Sequence, residues 1–171
     1  MSWEEDVIDV FQTTKNPILD YLALLFDFLF SAPFLLLILC LALLIKRDKK
    51  IFLILFGLLL NYLVVIILKL LFALPRPAGN RRDSFPSGHT ANAFFIAKAS
   101  SRYVKYSSGP LYFIAFLVAI SRLYLAAHYP LDVIGGAIVG YLIAWLVLKF
   151  EREIFEIFKT IRSKTSPKRK K

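Results

Sequence analysis

Five blocks of this chain are too long and too apolar to fold in water. They run from about Asp20 to Ile45, Ile51 to Leu74, Gly88 to Tyr103, Leu111 to Ala127 and Leu131 to Lys149. A helix needs about 20 apolar residues to cross the hydrocarbon core of a bilayer. The pattern therefore predicts an all-α fold: a polytopic membrane helical bundle of about five transmembrane helices. Hydrophobic residues make up 58% of the chain, against ~45–50% in soluble globular proteins, and the excess lies in these blocks. No internal repeat or linker divides the 171 residues, so a single membrane-embedded domain over 1–171 is expected.

The ends and the charges refine this picture. The net charge of +10 would suit a nucleic-acid binder only on a water-facing fold, which these segments do not supply, so nucleic acid is excluded as a partner. The basic runs "KRDKK" (46–50), "RYVK" (102–105) and "SKTSPKRKK" (163–171) fall on one side of a five-span chain. By the bias of lysine and arginine toward the cytoplasm, that side is inside. The N-terminus, the loop 75–87 and the turn 128–130 are then outside. The opening "MSWEEDVIDVF" is acidic where a signal peptide would be basic, and Trp3, Val7, Ile8 and Phe11 suit an interfacial helix. Residues 151–171 read as a basic cytoplasmic tail. Ile154, Ile157, Phe158 and Ile161 repeat at helical spacing there, so a C-terminal interfacial helix with anionic lipids as its partners is expected. Cys40, the one cysteine, reads as a small buried hydrophobe, with no disulfide and no metal-ligand spacing around it. Asp20 and Asp27 read as a polar, interface-wetted extension of the first span.

The outer side should be poor in positive charge, yet it carries Lys69, Arg76, Arg81, Arg82 and Arg122. A cation at the end of a span costs a few kcal/mol, on the order of 2–3 on insertion scales, unless something anionic meets it. Asp83 and Asp132 are the acids expected near them. Both histidines of the chain, His89 and His128, fall at the same end. In "FPSGHT" (85–90), Ser87 stands where an N-cap would start the third span. The first free amides of that helix, at Gly88 and His89, then point outward with the positive end of the helix dipole behind them, a ready phosphate cradle. In "AHYPLD" (127–132), Pro130 suits a helix start, and Asp132 follows His128 by four residues. A carboxylate at that offset can accept a hydrogen bond from one imidazole nitrogen and leave the other free to attack.

These residues fall into three ordered motifs. They are "KLLFALPRP" (69–77), "PSGH" (86–89) and "SRLYLAAHYPLD" (121–132). Together they resemble the signature of the type 2 phosphatidic acid phosphatases, and the motif-bearing core spans about 51–150. The resemblance implies a membrane lipid phosphatase that forms a phosphohistidine intermediate. His128 is implied as the nucleophile, Asp132 as the residue orienting it, and His89 as the general acid and base. Lys69, Arg76, Ser87, Gly88 and Arg122 are implied as phosphate-binding residues. No acidic cluster suited to magnesium is visible, so a metal-independent activity without cofactors is expected. The implied partner is an outer-leaflet lipid phosphate or diphosphate, with a leaning to polyprenyl (undecaprenyl) diphosphate. Lipid A, phosphatidylglycerophosphate and phosphatidate are the alternatives, and a non-catalytic lipid-phosphate-binding protein is the rival of another class. The short outer loops suggest a prokaryotic plasma membrane, with the site on the periplasmic or extracellular face.

Overall fold

In the computed structural model residues 2–103 and 108–165 are described. They form eight helices and no strands: α1 (Trp3–Thr13), α2 (Pro17–Leu29), α3 (Ala32–Lys46), α4 (Lys49–Phe72), α5 (Gly88–Ser101), α6 (Gly109–Tyr124), α7 (Pro130–Lys149) and α8 (Glu151–Thr165). Lys105 of the second basic run and residues 166–171 of the tail lie outside the described residues, as do the side chains of 162–165.

Local signals set the helix starts. Asn16 and Asp48 accept the amides of Ile18 and Lys50, each at 2.8 Å, and side-chain caps of this kind satisfy amides that no helical carbonyl reaches. Pro17, Pro33, Pro110 and Pro130 occupy first or second helical positions, where a missing N–H costs nothing.

Two helices, α4 and α7, are individually long and apolar enough to cross a membrane. The first expected span is instead two helices, α2 and α3, bent by 54° at Phe30–Ser31; taken together they make a third candidate. The bend leaves backbone groups without helical partners, and one is met from outside. Asn92 of α5 donates to the Phe30 carbonyl at 3.0 Å and accepts from Asn61 of α4 at 3.0 Å. α6 is a shorter apolar helix of 16 residues. α5, the third expected span, has 14 residues, or about 21 Å of rise. It is enclosed by α4, α6 and α7 and buries Thr90, Ala91, Asn92, Phe95, Ala97 and Ala99.

The most extensive packing is between α5 and α7, and small residues permit it. A Cβ at Gly136 would lie 2.4 Å from the Ser87 carbonyl oxygen, and one at Gly140 would lie 2.0 Å from that of Ala91. Small residues one turn apart let two membrane helices bring their backbones together.

The polarity is that of a bundle solvated by lipid. Leu44, Ile45, Leu70 and Leu71 are each more than 70% exposed, whereas Asn61, Ser87, Thr90, Ser121, Arg122 and Asp132 are buried. The protein is an integral membrane protein. Cys40 follows the same rule and is exposed on α3 rather than buried, since a small apolar side chain is as well placed against lipid as in a core.

The two terminal helices are part of the bundle. Ser2 and Glu5 cap α1 reciprocally, and Ile8 packs with Ala119, Leu123 and Val133 of α6 and α7. Glu4 accepts the Leu131 amide at the start of α7. α8 returns to the first turns of α4, where Phe158 meets Phe52 and Phe56 edge-on at 4.8 and 5.6 Å, while Ile157 and Ile161 stay exposed. That end also holds the basic residues: Lys50 lies over the Tyr103 ring and Arg102 pairs with Glu151.

Candidate active site

At the opposite end, a cavity of about 560 Å³ is lined by Asp27, Lys69, Arg76, Gly88, His89, Arg122 and His128. The remaining wall includes Ala32, Pro33, Tyr62, Val65 and Ile66 from α3 and α4. One side of the cavity is thus charged and the other apolar. Six of the eight sequence-predicted site residues line it; Ser87 and Asp132 stand behind it.

Each cation is held by an identifiable partner. Lys69, in the last turn of α4, donates to the backbone carbonyls of Asp83 and Ser84, so it is tied to the loop rather than extended toward the interface. Arg76 forms a two-pronged contact with Asp83, Nε–Oδ1 at 2.7 Å and Nη2–Oδ2 at 3.0 Å. That guanidinium holds the Asp83 carboxyl below the usual carboxylate range. Arg81 also reaches Asp83, at 2.6 Å, and Arg82 donates to the Ala73 carbonyl that ends α4. Arg122 is buried in the last turn of α6 and donates to Asp27, to Ser121 Oγ and to the Ala23 carbonyl.

Asp27 overturns the wetted-extension reading of the early acids. It pairs with Arg122 and lies 3.2 Å from His89 Nε2, because α2 packs against α6 and sets this carboxylate opposite a buried guanidinium. Asp20 is likewise engaged, accepting the Tyr124 hydroxyl at 2.8 Å.

Ser87 does occupy the N-cap of α5, but its hydroxyl caps no helical amide. It lies 3.0 Å from Thr90 Oγ1 and is fully buried, while its own N–H donates to the Asp132 carbonyl at 2.9 Å. At Gly88 an added Cβ would meet nothing nearer than Val65 Cγ1 at 3.6 Å. Protein packing therefore does not demand glycine at this position, and the open space beside it belongs to the cavity.

His128 is buried in the turn between α6 and α7, and burial pushes its imidazole below the ordinary histidine pKa. Its Nδ1 lies 3.7 Å from Asp132 Oδ2, an ion-pair distance that is too long for a hydrogen bond. The same oxygen accepts the Tyr129 amide at 2.7 Å and the Ser84 hydroxyl. Asp132 thus closes the first turn of α7, and that turn carries His128 beside it. Ser84 is a site residue that sequence reasoning missed, since a serine in a loop bears no charge pattern to betray it. Among the described residues no three His, Cys, Asp or Glu side chains gather as a metal-binding group.

Fold and cavity together define an integral membrane protein with three basic side chains and both histidines gathered round one cavity at one end of its bundle. The chain belongs to the PAP2 superfamily, whose family model matches residues 50–156. It resembles the crystal structure of Aquifex aeolicus LpxE with a TM-score of 0.76 and 32% identity, over 87% of this chain and 96% of that one. Similarity extends to the transmembrane PAP2-type phosphatidylglycerolphosphate phosphatase of Bacillus subtilis, with a TM-score of 0.71 and 25% identity over 88% and 85% of the two chains. Among curated proteins it is 32% identical to the undecaprenyl-diphosphatase BcrC of Bacillus subtilis, over 55% of this chain and 52% of that relative; the match spans about half the relative's length. The chain is accordingly a phosphatase, a hydrolase of the class these relatives represent.

Proposed function

We propose that this protein hydrolyses the terminal phosphate of a membrane lipid phosphate or diphosphate, without a metal ion, through a phosphohistidine intermediate. The observation that carries this reading is the convergence of both histidines with Lys69, Arg76 and Arg122 on one cavity whose other wall is apolar. A phosphoryl group fits the charged side and a lipid chain the apolar one.

His128 is the nucleophile. Its unprotonated nitrogen attacks phosphorus, a P–N bond forms and the P–O bond to the lipid breaks. Asp132 orients the ring: its Oδ2 stands 3.7 Å from His128 Nδ1, and a small rotation of the imidazole on binding substrate brings the two into hydrogen-bond range. His89, protonated, gives its proton to the leaving oxygen, and then as a base takes one from the water that attacks phosphorus as the P–N bond breaks. Phosphate departs and both histidines return to their starting forms. Lys69, Arg76, Arg122 and the first amides of α5, at Gly88 and His89, neutralise the equatorial oxygens. This matters because a loose phosphoryl transfer relies on positioning and charge more than on covalent assistance. Ser87 acts from behind, fixing the start of α5.

The substrate leaning is to polyprenyl diphosphate, supported by the relative named as an undecaprenyl-diphosphatase. The structural neighbour named for phosphatidylglycerolphosphate keeps that headgroup as the alternative to measure beside it, with phosphatidate and lipid A. The basic end of the bundle, with Lys50, Arg102 and Lys149, faces the cytoplasm by the positive-inside rule. The site and α1 then face the periplasm or exterior of a prokaryotic plasma membrane, and α8 meets anionic lipids on the inner face.

The test is phosphate release by detergent-purified protein in EDTA, with undecaprenyl diphosphate, phosphatidylglycerophosphate, phosphatidate and lipid A in parallel and His128→Ala as control. Release that vanishes in the variant is the expected result. Activity that needs added magnesium overturns the metal-free mechanism. Binding of phosphate or vanadate without turnover of any of these lipids selects a lipid-binding protein instead.

A further inference from the structure

Asp27 lies in the last turn of α2, outside the three motifs and before the segment that the family model matches. Its position does nothing for its own helix. A carboxylate at a helix C-terminus faces the negative end of the dipole and is destabilising there. An acid in an apolar segment is also costly, and such residues are kept where they meet a partner with work to do. Asp27 faces two groups with a single atom: Oδ1 accepts from Arg122 Nη1 and lies 3.2 Å from His89 Nε2, within ion-pair reach but without hydrogen-bond geometry. The residue is also part of the cavity wall.

We propose that Asp27 is a positioning residue for the acid–base step: it stabilises the protonated form of His89 and shares Arg122 with the incoming phosphoryl group. The proposal rests on the phosphatase mechanism above and deepens it. Arg122 reaches the cavity as well as Asp27, so a phosphoryl oxygen can draw on the guanidinium that Asp27 holds. The carboxylate charge is then felt more fully by the imidazolium. With Nε2 facing Asp27, Nδ1 is the nitrogen that passes the proton to the leaving oxygen. Arg122 from α6 and His128 from the α6–α7 turn face the same ring and oppose its protonation. Lys69 from α4 and Arg76 from the following loop stand round the same wall, and Asp83 is tied up with Arg76. Among the lining groups, Asp27 is the carboxylate in direct contact with His89.

Two readouts test this, one of them independent of turnover. The chain has only two histidines, so histidine-labelled protein gives two imidazole signals in an NMR pH titration, assigned with a His128→Gln variant. In Asp27→Asn the His89 midpoint should move about one pH unit toward acid, the size expected for loss of a neighbouring opposite charge. The basic limb of the kcat–pH profile should move by a similar amount, with kcat down about tenfold and KM unchanged or lower, since Arg122 no longer has a competitor. Asp27→Glu, which keeps the charge, should restore most of the rate. A rate loss with neither midpoint moved overturns the proposal and leaves Asp27 a packing residue. So does a folded Asp27→Glu protein that recovers none of the wild-type rate, an outcome read against wild type that stands even if the Asn protein does not fold. If the wild-type protein shows no His128-dependent release, the mechanism fails, while the NMR midpoint still decides whether Asp27 governs His89.

Discussion

A methyl group placed far from any reacting atom should disable this site. Gly140 faces the Ala91 carbonyl across the α5–α7 seam, and a Cβ there would lie 2.0 Å from that oxygen, where ordinary contact begins at 3.4 Å. The obstacle is backbone, so no rotamer change relieves it. In Gly140→Ala the two helices must separate by about 1.4 Å at this level, the difference between those two distances. α5 carries His89 in its first turn, and α7 begins with Pro130 and Asp132, just after His128. Opening the seam therefore moves His89, the proposed acid–base residue, away from His128, the proposed nucleophile. A misplacement of about 1 Å at reacting groups costs on the order of 10²-fold in rate, and forcing one extra carbon into a packed interface costs about 1–3 kcal/mol of stability. The assay is phosphate release per folded protein, measured well below the thermal midpoint, with that midpoint recorded alongside. We expect kcat to fall about a hundredfold and the midpoint by several degrees. A variant that turns over within about threefold of wild type, far short of the loss expected from such a misplacement, would refute the claim that this seam sets the spacing of the two histidines.

Two further outcomes follow from the polar network. In Asp83→Asn the two-pronged hold on Arg76 is lost while the cavity becomes more positive, so kcat should fall about tenfold with KM unchanged or lower; a raised KM with normal kcat would contradict this. Burial lowers the His128 pKa, so the imidazole stays unprotonated as pH drops past the ordinary histidine value of about 6.5. Only below its own, lower pKa does it gain a proton and cease to attack. The acid limb of the kcat/KM profile, corrected for the substrate's own ionisation, should lie below 6.5; a limb at or above that value would overturn the assignment.

The charged half of the site was legible in the sequence because cations and histidines stand out in an apolar chain. Lys69, Arg76, His89, Arg122 and His128 each sit at the end of a block, and ends of blocks in a short-looped bundle meet. Asp27 was hidden for the converse reason. Its partner Arg122 is 95 positions away, and only the packing of α2 on α6 brings them together. Ser84 carries no periodicity or charge and is defined solely by the carboxylate it meets. The N-cap position of Ser87 was readable, but not that its hydroxyl turns to Thr90. The bundle class followed from hydropathy. The five-span expectation met two features that hydropathy does not show: α5 is short, polar in its first turn and enclosed by protein, and Phe30–Ser31 breaks a run that hydropathy reads as continuous. Lipid also erases the usual sign of burial, as Cys40 on the outside of α3 illustrates.

The half-apolar wall of the cavity fixes what concentration means for this enzyme. Tyr62, on that wall, is 44% exposed on α4, a helix long and apolar enough to cross a membrane. A substrate that keeps its chain in hydrocarbon searches for the charged side in two dimensions, so its encounter rate follows its mole fraction among the lipids. Diluting such a substrate with inert lipid or detergent at constant total substrate should slow turnover, and adding water should not.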